Sequence, residues 1–221
     1  MDFEAIWLSL QLAACTTLAL FLGGLPLAYW LAVTRWRLRF LLEAVVVLPM
    51  ILPPTVLGFY ILIAIGPLSP LGRGFEAVTG RSLAFSFQGL LLASILYSLP
   101  FAVRPFTAAF VAVDRRLIEA SWCLGESRMR TFFRIAFPLS WAGILTGVIL
   151  SFAHTLGEFG VVLMVGGNIP GVTRTVSISI YDEVQAVNYH KAAMTSLVLL
   201  ASSFLALSVT QLVSRSGGID R

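Results

Sequence analysis

The sequence predicts an all-α, polytopic membrane helix bundle of about five spans, with six as the alternative, forming a single transmembrane domain over residues 1–221. Composition is the first reason. Of 221 residues, 58% are hydrophobic and 12% are charged, and mean hydropathy is +0.90. A soluble domain carries about a quarter charged residues, and at this length it still exposes about a quarter to a third of its chain surface. This chain has too little polar material to cover such a surface, which excludes a water-soluble enzyme. Its hydropathy also excludes a disordered chain. The other two reasons are the spacing of the charges and the uneven placement of the cations.

Charge clears from five stretches: 5–34, 44–72, 82–103, 135–157 and 192–214. Each is long enough for the about 20 residues a helix needs to cross a bilayer. The first is read as a retained helix rather than a signal peptide, since Asp2 and Glu4 stand where a basic region would be and the apolar run is too long. A sixth gap, 159–173, is short and broken by Gly166-Gly167-Asn168 and Pro170-Gly171. It reads as a re-entrant or interfacial segment, tolerated at membrane depth where protein or a water cavity covers it.

The second stretch contains Leu48-Pro49-Met50-Ile51-Leu52-Pro53-Pro54. Proline removes a backbone donor and clashes with the preceding turn, so the helix should kink or break there. That is either a packing kink or a bend that shapes a transport path. Pro100 and Pro105 repeat the theme in the third stretch, which can run on to Val113 with Arg104 snorkelling to the interface.

Orientation follows the cations. Of 15 basic residues, 14 are Arg and one is Lys191. With five spans, 11 fall on one side (Arg35, Arg37, Arg39, Arg104, Arg115, Arg116, Arg128, Arg130, Arg134, Arg215, Arg221) and four on the other (Arg73, Arg81, Arg174, Lys191). Under the positive-inside rule the C-terminus and the loops 35–43 and 104–134 are cytoplasmic, and the N-terminus is outside. A net charge of +4 on so apolar a chain concerns membrane topology, with lipid as the partner and not nucleic acid. Cys15 and Cys123 fall in different layers and should be free thiols.

His154 and Glu158 are four apart at the end of the fourth stretch and so share a helix face. Intramembrane ionisable groups are functional candidates. The pair reads either as a proton relay or metal pair, or as an interhelical hydrogen bond beside a carboxylate at the outer mouth; two ligands alone do not make a metal site.

The loop 114–137 carries the most information. Asp114 is a good N-cap for a short amphipathic helix with Leu117, Ile118, Ser121, Trp122 and Leu124 on one side. Gly125 should end that helix in the left-handed conformation. A second, Arg-rich helix then leads to Pro138, where the fourth span should begin. The result is a two-helix knob at the membrane surface, with small Ala120 and Ser121 giving a partner's backbone room to approach. Without a partner, the same segment would be an interfacial helix facing anionic headgroups.

Glu119-Ala120-Ser121, three residues, Gly125, nine residues, Ile135, one residue and Phe137-Pro138 resembles the EAA loop of ABC importer permeases. Ser121 stands for the family's second Ala, and Phe137 for its Leu. Leu48-Pro49, Leu52-Pro53-Pro54, Leu83-Ala84-Phe85-Ser86-Phe87, Leu156-Gly157-Glu158-Phe159-Gly160, Gly167-Asn168-Ile169-Pro170-Gly171 and Thr173-Arg174-Thr175 resemble the molybdate permease branch. The GEFG and NIPG segments also resemble sulfate permeases. Chain length, with no extra N-terminal extension, fits the molybdate branch better.

The resemblance implies a type I ABC importer permease-like bundle that moves molybdate or tungstate inward. It implies Glu119, Ala120, Ser121, Gly125, Ile135 and Pro138 as the segment that couples to an ATPase. The implied partners are a second copy of the chain, two ABC ATPase subunits and an external, periplasmic oxyanion-binding protein, in the cytoplasmic (inner) membrane. ATP and Mg would sit on the partner ATPase and no cofactor on this chain, which contains no G-x-x-x-x-G-K-[ST] phosphate loop. The outer gate is expected around Pro53, Pro54, Gly157, Glu158, Phe159, Gly160, Thr173, Arg174 and Thr175. Arg174 is a candidate anion contact, or else a solvated turn residue, and a possible partner for Glu158. The alternatives are a sulfate permease and a proton-coupled carrier built on His154 and Glu158.

Overall fold

A residue that precedes proline is pushed out of the α region, and that rule sets the sharpest bend in the chain. Leu52, before Pro53, has ψ 141°, and Pro53, before Pro54, has ψ 133°. Two extended residues in a row turn the chain by 112° between helix α2 (Arg39–Ile51) and helix α3 (Pro54–Ile65). Pro54 then opens α3, where its missing N–H costs nothing. Pro49 stays inside α2, and Pro100 and Pro105 inside the unbroken 25-residue helix α5 (Phe87–Val111).

The computed structural model describes residues 2–216, with side chains to 212. The cation at Arg221 lies outside the described residues, as do position 1 and the end of the domain expected over 1–221. All regular structure among the described residues is helical. Helix α1 (Phe3–Val33) is capped by Asp2, whose carboxylate accepts from Ala5 N at 3.1 Å, and it carries a π-turn over Leu20–Gly24 ahead of Pro26. Proline at 26 removes one donor, so the ladder widens locally rather than breaking.

Helix α4 (Pro70–Thr79) follows α3, with Ser69 accepting from Gly72 N at 2.8 Å and Gly80 ending it at φ +68°. The second apolar stretch therefore stops crossing at Ile65 and not at Gly72; Gly66 and the Ser69 cap divert the chain. Helix α6 (Arg115–Cys123) and segment α7 (Arg128–Leu139) form the knob. Segment α7 contains a π-turn over Phe132–Ala136 and meets helix α8 (Trp141–Leu156) at 73°. The fourth span begins after Ser140 rather than at Pro138. Proline there occupies the start of a helical turn, where it is tolerated, and Ser140 Oγ donates to the Ala109 carbonyl of α5 at 3.2 Å. Short helices α9 (Gly160–Gly166) and α10 (Val176–Gln185) precede the last helix, α11 (Tyr189–Ser216).

Among the described residues, α1, α5 and α11 are long and apolar enough to cross a membrane, and counting each bent pair as one span gives five. The 159–173 gap folds back, with α9 lying on α3 and α5. Helix α5 is central. Phe106, Val103 and Ala102 meet Leu25, Ala28 and Leu31 of α1; Ala93 meets Ile61 of α3 and Val161 of α9; Leu90 meets Leu12 of α1 and Ile178 of α10. Lipid is as apolar as these side chains, so close packing and buried hydrogen bonds hold the bundle. Helix α11 exposes Leu200, Phe204 and Leu212.

Candidate coupling and gate sites

The knob holds together through its own polar groups. Asp114 accepts from Arg116 N at 2.9 Å and caps α6. At the other end, Gly125 N donates to the Trp122 carbonyl (3.0 Å) and Glu126 N to the Ser121 carbonyl (3.1 Å). This double closure requires a left-handed residue between them, and Gly125 has φ +84°. Ser127 caps the next helix at Arg130 N, and Glu126 binds Arg130 at 2.7 Å and Arg134 at 3.4 Å. The Arg128 guanidinium lies 5.8 Å from the Trp122 ring centroid.

Glu119 and Ala120 face outward, Glu119 loosely paired with Arg115 at 3.8 Å. Ser121 does not. It is buried, and its hydroxyl shares a 2.9 Å hydrogen bond with the Thr131 hydroxyl. The expectation that it leaves room for a partner is corrected: its small polar side chain ties α6 to α7. Ile135 is half-buried in the π-turn, and Pro138 is exposed. Leu117, Trp122, Leu124 and Met129 give the knob an exposed apolar surface, Leu124 being 84% accessible.

At the other end of the bundle, two of the expected gate residues, Pro54 and Gly160, touch. A Cβ on Gly160 would stand 2.7 Å from Pro54 Cβ, so the start of α9 touches the start of α3. Phe159 packs its ring on Tyr181 of α10 at 5.1 Å. Gly157 is exposed at the end of α8. Thr173 Oγ donates to the Gly166 carbonyl at 2.7 Å and accepts from Ile169 N at 3.1 Å, which closes the loop 166–173 on itself. Thr175 is buried, and its hydroxyl has no partner. Thr173 sits at the end of a turn and Thr175 is extended (φ −80°, ψ 167°); both threonine side chains are buried, while Arg174 is partly exposed.

Arg174 is engaged by its own chain. Its Nε donates to Asn168 Oδ1 at 2.7 Å, and its other nitrogens lie 3.5 Å from Asp182 and 3.9 Å from Asp2. Asn168 Nδ2 in turn donates to Asp182 at 2.8 Å. The suggested pairing of Arg174 with Glu158 is not formed. The strap 167–175 is thereby fastened to α10 and to the start of α1, and Ser9 of α1 accepts from Val176 N at 2.8 Å. Asp2 and Ser9 were invisible as partners in the sequence, because contacts across the whole chain leave no local spacing, and Asp182 lies on the next helix in no recognisable motif.

Glu158 is 4% exposed, and among the described residues neither carboxylate oxygen has a hydrogen-bond partner. Ser94 of α5 faces it, its hydroxyl also unpartnered. One turn earlier, His154 Nδ1 lies 3.0 Å from Ser98 Oγ, and the imidazole stacks on Phe101 at 3.8 Å. Ser98 also bonds the Thr155 hydroxyl at 2.8 Å. His154 thus joins α8 to α5 by a hydrogen bond. Among the described residues no three His, Cys, Asp or Glu side chains converge as a metal site.

The bent helical bundle thus carries a surface knob at one end and a folded-back strap at the other. Residues 24–216 match the family of binding-protein-dependent transport system inner membrane components. The chain belongs to that family. It is a multi-pass inner-membrane permease subunit of an ABC importer, and it does not itself hydrolyse ATP. It is similar to the molybdenum transport system permease protein ModB of Azotobacter vinelandii, 48% identical over 93% of this chain and 91% of that protein. ModB of Escherichia coli K12 is 33% identical over 97% of this chain and 94% of that one. The fold matches a bacterial ABC transporter involved in the import of the acidic polysaccharide alginate, with a TM-score of 0.75 at 17% identity, over 97% of this permease and 78% of that chain.

Proposed function

We propose that this permease moves molybdate, and with it tungstate, inward across the cytoplasmic membrane as one half of a symmetric pair. The observation that carries the reading is its 48% identity to a molybdenum permease along nearly the whole of both chains. Two ATPase subunits grip the two knobs of residues 114–137, and an external oxyanion-binding protein docks at the strap end. The 11-to-4 division of cations supports a cytoplasmic knob, an N-terminus outside and a cytoplasmic C-terminus.

ATP binding draws the ATPases together and moves the knobs. Because Ser121–Thr131 and Glu126–Arg130 make each knob one body, the displacement passes through α7 and the 73° corner at Ser140 into α8 and α5. Glu119, Ala120, Gly125 and the exposed apolar residues form the contact surface. Ser121, Ile135 and Pro138 set the shape of the lever. At the far end, the Pro53-Pro54 corner, Gly157–Gly160 and the strap 173–175 open or close the outer mouth. Arg174 holds that strap in place. ATP and Mg stay on the partner, and the permease changes state because its partners bind its two conformations unequally.

The test is uptake of labelled molybdate by proteoliposomes holding the permease, its ATPase and its binding protein, with ATP inside or depleted. ATP-dependent uptake competed by tungstate and poorly by sulfate is expected. Uptake driven by a proton gradient without ATP would overturn the reading.

A further inference from the structure

Arg104 lies within the central helix α5, seven residues before its end at Val111, which is about 10 Å along the axis. Its side chain is exposed in the isolated chain and long enough to carry its charge toward the interface. Four arginines on the same side have an acidic partner: Arg39 has Glu43, Arg115 has Glu119, and Arg130 and Arg134 share Glu126. Arg104 makes no ion pair or hydrogen bond with any described residue. It lines a cavity of about 420 Å³ between α1, α2 and α5, walled by Leu31, Val46 and Val103 and shared with Glu43 and Thr107. That space is many times the about 30 Å³ share of one water.

We propose that Arg104, with Thr107, forms a binding site for a tetrahedral oxyanion in the half of the bundle adjoining the knob. The guanidinium presents a planar fork of donors that matches two oxygens of such an anion. Thr107 is three residues on, and its hydroxyl has no partner among the described residues. That hydroxyl is buried in this conformation, and the site requires a χ1 rotation to bring it to the cavity. Among the described residues Glu43 is the only acid at the cavity, and it sits 3.5 Å from Arg39 with no ion pair to Arg104. Its nearby negative charge keeps the site weak, as a station on a path has to be if the ion is to leave.

Two sources carry this chemistry, the transported oxyanion and the phosphate of a lipid headgroup. Only the first rests on the proposed function. The test uses the permease–ATPase complex without the binding protein. Equilibrium binding of labelled molybdate is measured in detergent, and retention of phosphatidylglycerol is measured by native mass spectrometry. The variants are Arg104→Gln, Arg104→Lys and Thr107→Val, each with its thermal midpoint. A charge-assisted bond predicts a loss of about tenfold or more for Arg104→Gln, a smaller loss for Arg104→Lys, and about threefold for Thr107→Val, with midpoints unchanged.

Loss of molybdate binding assigns the free anion, and loss of phosphatidylglycerol with no molybdate effect assigns the headgroup; both support the site. Wild-type binding of both probes by Arg104→Gln and Thr107→Val overturns it, as does a wild-type complex that binds neither. A wild-type importer that takes up no molybdate, yet shows Arg104-dependent binding, would sink the substrate reading alone.

Discussion

Gly160 rests against Pro54 so closely that a methyl group on it would stand 2.7 Å from the proline Cβ. This contact joins the re-entrant helix α9 to the sharpest corner of the bundle. Gly160→Ala should therefore force the two apart, at a cost of about 1–3 kcal/mol for overpacking, and Gly160→Leu should abolish uptake. Gly74→Ala is the control, since nothing lies within 4 Å of a Cβ there. Thermal unfolding in detergent reads the first effect. A Gly160→Ala midpoint equal to wild type would show that the contact is slack.

Gly125 has open space around it, so a larger residue meets no clash within the chain. Its φ of +84° alone penalises a substitution, by about 1–2 kcal/mol. Gly125→Leu should insert and fold normally. In the assembled importer it should lower uptake at least tenfold by displacing Glu126 and the contact surface. Uptake at the wild-type rate would remove the lever from the mechanism.

The hydroxyl pair Ser121–Thr131 offers a double-mutant cycle. Ser121→Ala leaves the Thr131 hydroxyl buried without a partner, a loss of about 1–3 kcal/mol. Adding Thr131→Val removes the orphaned group and should recover most of that loss. Chemical denaturation of the purified permease measures it. Additive losses would mean that the two hydroxyls act independently.

Arg174 is about 29% exposed and shared among three partners, so solvent screens it and its ion pairs are modest. Arg174→Gln should loosen the strap, exposing the backbone amides of 168–175 to hydrogen exchange. It should leave the affinity for the transported anion unchanged. A selective rise in KM for the anion with unaltered exchange would instead make Arg174 a substrate contact.

Among the described residues Glu158 has no cation to pair with in its buried place, and an isolated buried charge is expensive. Glu158→Gln keeps the shape and removes the ionisable group. The variant should fold with an unchanged or slightly higher thermal midpoint. A large drop would reveal a salt link that only another conformation makes.

Much of the fold was legible because its rules are local. Charge gaps marked α1, α5, α8 and α11, and residue pairs such as Leu52-Pro53 marked a break. Gly125 announced a left-handed stop. The Ser69 cap and the Gly80 stop of α4 were equally local, but the apolar run around them hid a separate helix. The inward turn of Ser121 was not legible, because helix periodicity gives a face but not the neighbour it meets. The shift of the corner from Pro138 to Ser140 was hidden for the same reason: the π-turn before it and the Ala109 carbonyl that receives Ser140 belong to packing.

By itself the sequence determined a helical membrane protein, the placing of its breaks and the knob between its spans, since backbone donors in lipid must be met within each helix and proline or glycine locally decides where that fails. Only the tertiary structure decided which polar groups are already spent. Asp2 meets Ser179 across 177 residues of chain, Asp2 and Asp182 take up Arg174, and Arg104 is left facing a cavity. Such pairings are set by which helices lie side by side, and no spacing within a single helix encodes them.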